Sequence, residues 1–250
     1  MANTVLIHSF RSGVGRSNIA ANVTYLAALE GYRVGVLDGA LDSSLPSLFG
    51  LVNQKTAFSF GDLLAGKCMS EQVVLRLSDQ MNTNLTGDVF FISGNFYDST
   101  GAPRLNTPND SELLNAGCQN LIETLNLDVL IIDAQPGLKN ESLVPLTISD
   151  ILLIVLRHDW CDYQGTSVTL DIVRQLNVPR IMLVVNEAPG SFSPTQITEE
   201  IEKKLGCQVA AVLPHIEELM VLGNQGIFAC DYPNHPATGL FKQIAQKLVA

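Results

Sequence analysis

The sequence predicts a three-layer α/β protein with a mostly parallel sheet of about seven or eight strands and helices on both faces. Three observations carry this. Short β-branched, nearly continuous apolar runs alternate with segments of helical period, as expected when strands are buried on both faces. The 250 residues, 46% apolar and only 16% charged, suffice for one substantial core, and no long linker or break in composition interrupts them. The first strand-like run also leads through a glycine-bearing turn directly into helical periodicity. One domain covering residues 1–250 is therefore expected.

Taken in order, strands are predicted at 4–9, 33–38, 89–93, 129–133, 151–157, 180–186 and 208–213. Helices are predicted at 17–30, 110–125, 141–148, 163–176, 194–205 and 238–249. The stretch 53–108 is the weakest, because polar and glycine-bearing segments surround one short strand; it reads as surface excursions.

Function is concentrated in the first turn. Arg11-Ser12-Gly13-Val14-Gly15-Arg16-Ser17 lies between a strand and a helix, where backbone N–H groups can wrap an anion at a helix N-terminus. Gly13 and Gly15 supply backbone freedom and close approach, and Ser17 supplies a hydroxyl suited to Mg²⁺. Asp38 and Asp133 each end an apolar strand, the latter followed by Ala134-Gln135-Pro136-Gly137-Leu138. Asn186 ends another, and Val212-Leu213-Pro214 closes the last.

This loop resembles the deviant Walker A motif of the MinD/ParA ATPases, Lys-Gly-Gly-x-Gly-Lys-Ser/Thr, and the other matches follow in family order from about Val5 to Pro214. The resemblance implies a P-loop NTPase fold binding ATP or ADP with Mg²⁺. It implies nucleotide contacts from Ser12, Gly13, Val14, Gly15, Arg16, Ser17, Asn18, Asn186 and Pro214. Ser17, Asp38 and Asp133 would hold the metal, in part through water. Asp38 would begin the first switch, Asp133 would be the Walker B aspartate before the second switch, and Asn186 would read adenine. A homodimer through the nucleotide face is implied, with Arg11 at the position of the lysine that crosses to the other subunit.

The sequence departs from that pattern where chemistry is done. Arg11 and Arg16 replace both lysines, and a planar guanidinium is no neutral substitute at an enclosed phosphate. Ser12 replaces a glycine at the subunit approach. The family's second switch aspartate is Ala40, which cannot orient water, and Asp42 stands in for it only if the segment shifts. Arg11, Arg16, Asp38 and Asp42 are thus the candidate catalytic groups. The retained residues shape a nucleotide seat while several lost ones belong to hydrolysis. The expectation is a nucleotide-dependent dimerisation switch that recruits or positions a protein partner with slow or lost hydrolysis. The alternatives are a non-enzymatic interaction module on the same fold and an active positioning ATPase on DNA or membrane.

Composition weighs on the partners. A net charge of −10 opposes binding to nucleic acid or anionic lipid. The helix predicted at 238–249 carries only Lys242 and Lys247, so it reads as a closing helix on the sheet rather than a membrane anchor. No signal-like leader or long apolar run appears, which leads to the expectation of a cytoplasmic protein. Cys68, Cys118, Cys161, Cys207 and Cys230 lie far apart and are expected as buried free thiols; Asp133-Ala134-Gln135-Pro136 carries no cysteine pair, which argues against a cluster-carrying reductase. His8 is expected to be packed rather than to ligate. The run from Arg157 to Tyr163 is expected to form a loop platform or protein contact at the carboxyl edge of the sheet.

Overall fold

A computed structural model describes residues 2–40, 43–52, 54, 56–81, 85–96 and 110–249. Its sheet comprises β1 (Asn3–His8), β2 (Arg33–Asp38), β3 (Val74–Arg76), β4 (Asp88–Ser93), β5 (Val129–Asp133), β6 (Ile151–Arg157), β7 (Arg180–Ala188) and β8 (Val209–Pro214). The strand order is β3-β4-β2-β5-β1-β6-β7-β8. Among the described residues only β3 runs antiparallel, against β4. The predicted mostly parallel sheet is therefore present, at eight strands.

The helices are α1 (Arg16–Leu29), α2 (Leu45–Leu48), α3 (Phe60–Leu64), α4 (Asp110–Leu125), α5 (Asn140–Leu143), α6 (Trp160–Gln175), α7 (Pro194–Leu205), α8 (Glu217–Leu222), α9 (Phe228–Asp231) and α10 (Pro236–Val249). Strand residues alternate between two cores. Val5 and Ile7 of β1 pack with α1, α2, α9 and α10, whereas Leu6 packs with α3, α4, α6 and α7. That alternation makes the three layers.

Several elements differ from expectation for local reasons. The helix predicted at 141–148 is split into α5 and a 3-10 turn, Pro145–Ile148, because Pro145 lacks the N–H that would continue α5. Within 53–108, α3 and β3 were not anticipated; α3 starts on a capping box in which Ser59 and Asp62 satisfy each other's backbone N–H groups. The strand β7 runs two residues beyond its predicted end, through a register shift with Glu187 at φ 52°.

As expected, α10 is a closing helix. Phe241, Ile244, Ala245 and Leu248 are buried against the sheet side that α1 covers, and its lysines are spent within the chain, Lys242 on Glu30 and Lys247 on the Ala210 carbonyl. No described helix is long and apolar enough to cross a membrane. The cysteine expectation needs correction: Cys118 is buried, but Cys68, Cys207 and Cys230 are half-buried and Cys161, in the first turn of α6, is exposed.

Candidate functional site

The strand β1 lies between β5 and β6, so everything that follows it emerges at the middle of the sheet's carboxyl edge. From Ser9 the chain turns through residues 10–15 into α1. Gly13 (φ 73°) and Gly15 (φ 93°) both take left-handed conformations. A Cβ on Gly15 would also fall 2.3 Å from Asn186 Nδ2, so that position needs glycine twice over. Val14 is buried in the core beneath, which anchors the turn and leaves Ser12 and Gly13 outermost.

The start of α1 is unusual in what it lacks. No side chain caps it, and its first turn holds no acidic residue. Its unpaired N–H groups and positive dipole end are left for an external anion.

Behind the turn lie the two strand-end aspartates, directly paired in register across β2 and β5. Ser17 Oγ donates to Asp133 Oδ2 at 2.6 Å. Oδ1 of Asp133 and Oδ1 of Asp38 are buried without a hydrogen-bond partner. Burial, reinforced by the charge of Asp133, pushes the Asp38 carboxyl up to about 7, against the opposing effects of Ser43 and the Ala40 N–H. Burial likewise raises Asp133, with Arg16, Ser17 and Ser43 pulling the other way. Ser43 was not anticipated; it becomes visible only when the chain after β2 folds back so that its hydroxyl faces both carboxylates. Asp42 lies outside the described residues. Ala40 stands beside Asp38 with no polar side-chain atom.

Two unsatisfied carboxylate oxygens and a serine hydroxyl form a hard, oxygen-only donor set of the kind Mg²⁺ takes when phosphate and water complete its shell. No group of three or more His, Cys, Asp or Glu able to hold a metal by itself occurs among the described residues.

The arginines have specific local partners. Arg16 is almost fully buried; its Nη1 donates to the Ala134 carbonyl at 2.6 Å and its Nε lies 4.0 Å from Asp133 Oδ1. It thus folds back onto the segment after β5 rather than over the turn. Arg11 forks onto Asp159 (2.7 Å) and Asp162, the first of which also caps α6. Phe10 lies over Gly165, where any Cβ would meet its ring at 2.0 Å. Asp162 in turn accepts the Arg157 N–H at 2.8 Å. The Arg157 to Tyr163 run is therefore the support for Arg11, with Trp160 left 68% exposed beside it.

The remaining residues are brought to the same end of the molecule. Asn186 Nδ2 donates to the Val14 carbonyl at 2.9 Å, tying β7 to the turn. Because its nitrogen is so used, its oxygen is the atom left to accept from a ligand. Asn18 donates to Asn224 Oδ1 at 2.9 Å, which brings in the turn after α8, a contact with no sequence signal. Pro214 is exposed at the end of β8. His8 is fully buried beneath Arg16, and burial lowers it to about 3, so it stays neutral as a packed residue.

The comparison with known proteins agrees with this geometry. The model of the CobQ/CobB/MinD/ParA nucleotide binding domain matches residues 5–227. The chain belongs to this family. Among relatives of this MinD/ParA protein, an uncharacterized ATP-binding protein of Methanocaldococcus jannaschii is 24% identical over 253 residues, spanning 100% of the chain and 88% of the relative. A chain of the MinC:MinD cell division protein complex of Aquifex aeolicus superposes with a TM-score of 0.80 at 18% identity, covering 99% of this chain and 95% of that one. The MinD of Pyrococcus horikoshii complexed with Mg-ADP gives 0.76 at 16% identity, with 99% and 96% covered. These structural likenesses establish that this MinD/ParA member shares the MinD fold.

Proposed function

We propose that this chain, as one domain, binds ATP with Mg²⁺ at Gly13 to Ser17 and acts as a nucleotide-dependent dimerisation switch whose output is recruitment of a protein partner. The observation that carries the reading is the uncapped start of α1, set directly in front of the Ser17–Asp133 pair. The backbone N–H groups of residues 13–18 would cradle the phosphates, and Arg16 would swing from Ala134 to the terminal phosphate. The oxygen of Asn186 would accept from the adenine amino group, with Pro214 beside the base. Magnesium, held by Ser17, Asp133 and Asp38 in part through water, would neutralise charge on the phosphates.

Dimerisation through this face requires Arg11 to leave Asp159 and Asp162 before it can reach a second copy. Hydrolysis is slow or lost in this reading, because Ala40 offers no group to orient water and Arg16 is larger than the lysine it replaces. The acidic chain has a protein partner rather than nucleic acid or membrane, and acts in the cytoplasm. A non-enzymatic interaction module is the second reading, supported by the way Arg16 already satisfies the Ala134 carbonyl without a ligand.

Calorimetry with ATP-Mg²⁺ and with ADP, run beside size-exclusion chromatography and a phosphate-release assay, tests the reading. Saturable binding and an ATP-dependent shift to dimer are expected. Absence of nucleotide binding overturns it, and rapid turnover abolished by Asp133→Ala replaces it with a working ATPase.

A further inference from the structure

Arg16 opens α1, one position before Ser17, yet its charge is turned inward, towards Asp133 and Ala134. We infer that Arg16 is an internal cation that partners Asp133 in place of Mg²⁺ until a phosphate group draws it away, so that this chain takes up metal only after phosphate. The inference rests on the proposed reading of Ser17, Asp133 and Asp38 as the metal's ligands, and concerns which cation Asp133 faces before they bind.

The two oxygens of Asp133 are used differently. Oδ2 accepts from Ser17 Oγ at 2.6 Å, whereas Oδ1 is buried and makes no hydrogen bond. The charge facing Oδ1 is the Arg16 guanidinium, with Nε at 4.0 Å. That separation is too long for a hydrogen bond but short for two opposite charges. Asp133 is fully buried and Arg16 only 9% exposed, so bulk water does little to screen the pair.

A second bond fixes Arg16 there. Nη1 donates to the Ala134 carbonyl at 2.6 Å, a short, charge-assisted bond to the residue directly after Asp133. The acceptor is itself held in place. The Ala134 N–H donates to the Ile7 carbonyl at 3.2 Å, and the Gly137 N–H donates to the Ser9 carbonyl at 2.9 Å. The segment after β5 is thus pinned to β1 and the turn that follows it, and Arg16 is the side chain that completes the attachment.

A divalent ion ligated through Asp133 Oδ1 meets this guanidinium as a like charge. To admit the ion alone, Arg16 must leave the Ala134 carbonyl and strand a buried acceptor, with no new partner for the guanidinium. Charge and hydrogen bonding therefore both oppose metal by itself. A phosphate group at the uncapped start of α1 changes the balance, because its oxygens accept from a guanidinium in the planar, paired geometry that arginine presents. Arg16 then exchanges one strong acceptor for another, and Oδ1 of Asp133 is left facing the metal.

Binding of Mn²⁺ alone to the full chain, read by the electron paramagnetic resonance of the free ion with no nucleotide present, tests the inference apart from any nucleotide site. Arg16→Gln removes the charge but keeps an amide donor, and should bind Mn²⁺ at least about tenfold more tightly than the native chain. Arg16→Lys keeps the charge and should stay within about threefold of the native value. Adding Asp133→Asn to Arg16→Gln should abolish the gain. A second measurement needs no variant: calorimetry should show ADP binding to the native chain in EDTA, and Mg²⁺ binding only once ADP is present. Failure of ADP to bind with or without Mg²⁺ would count against the nucleotide reading, while a Mn²⁺ gain in Arg16→Gln that Asp133→Asn abolishes would still sustain Arg16 as the competing cation. Equal Mn²⁺ affinity in the native chain and Arg16→Gln, a gain that survives Asp133→Asn, or ADP binding that requires Mg²⁺ overturns the inference.

Discussion

Replacing Asp38 by asparagine should stabilise the nucleotide-free and metal-free protein at alkaline pH and leave it little changed in acid. The Asp38 carboxyl is raised from 3.8 to about 7, chiefly by burial. Between those values the folded chain holds a proton that the unfolded chain has released, so stability falls as pH rises through that window. Above it the carboxylate is ionised in both states and the whole penalty is present. A rise of this size corresponds to about 4 kcal/mol. The amide introduced by Asp38→Asn keeps the shape of the carboxyl group and carries no charge to desolvate. Urea unfolding in EDTA at pH 4, 6 and 8 should therefore show the variant's advantage growing from near zero to as much as about 4 kcal/mol. Parallel pH profiles for the two proteins, or a variant less stable at pH 8, would refute the account of Asp38 as a buried, undercompensated charge.

Three further outcomes follow from the same geometry. Asn186→Ala removes the bond to the Val14 carbonyl and should weaken ATP-Mg²⁺ binding by about tenfold in calorimetry, in line with a lost hydrogen bond of roughly 1 kcal/mol or more. Arg16→Lys combined with Ala40→Asp should raise phosphate release at least about tenfold if these two positions limit hydrolysis; unchanged turnover would place the defect elsewhere. Asp159→Asn keeps a residue that caps α6 well but removes one charge from the Arg11 fork. Equilibrium sedimentation with ATP-Mg²⁺ should then show dimer at about two- to fivefold lower protein concentration, and a shift the other way would count against Arg11 crossing to a second copy.

The sheet was legible because its strands are both apolar and buried on two faces, so that Val129 to Asp133 or Ile151 to Arg157 admits few other readings. The glycine-bearing turn was legible as a connection from a strand into a helix, and it joins β1 to α1. What the sequence hid depends on contacts between distant segments. β3 is three half-buried or exposed residues, Val74-Leu75-Arg76, too short to read as a strand by itself, and it pairs antiparallel with the edge that β4 offers. α8 is six residues long and none of them is fully buried, with only Leu219 and Leu222 leaning against the core, too short a pattern to read as a helix. Arg16 illustrates the same limit at the site: its type and position were readable, but its hold on the Ala134 carbonyl depends on a residue 118 positions away. Ser43 was overlooked for a related reason, since serine after a strand signals only a turn until the fold sets it opposite two carboxylates.

The two outer strands bear on solubility and on how copies of this chain can meet. An open sheet invites another strand to continue its ladder, and both margins here are blunted. At one, β3 is short and antiparallel and carries Arg76 clasped to Asp88. At the other, Lys247 from α10 occupies the Ala210 carbonyl of β8. Fibre-like growth by strand addition is thereby discouraged at each end, and self-association is directed towards contact between finished surfaces.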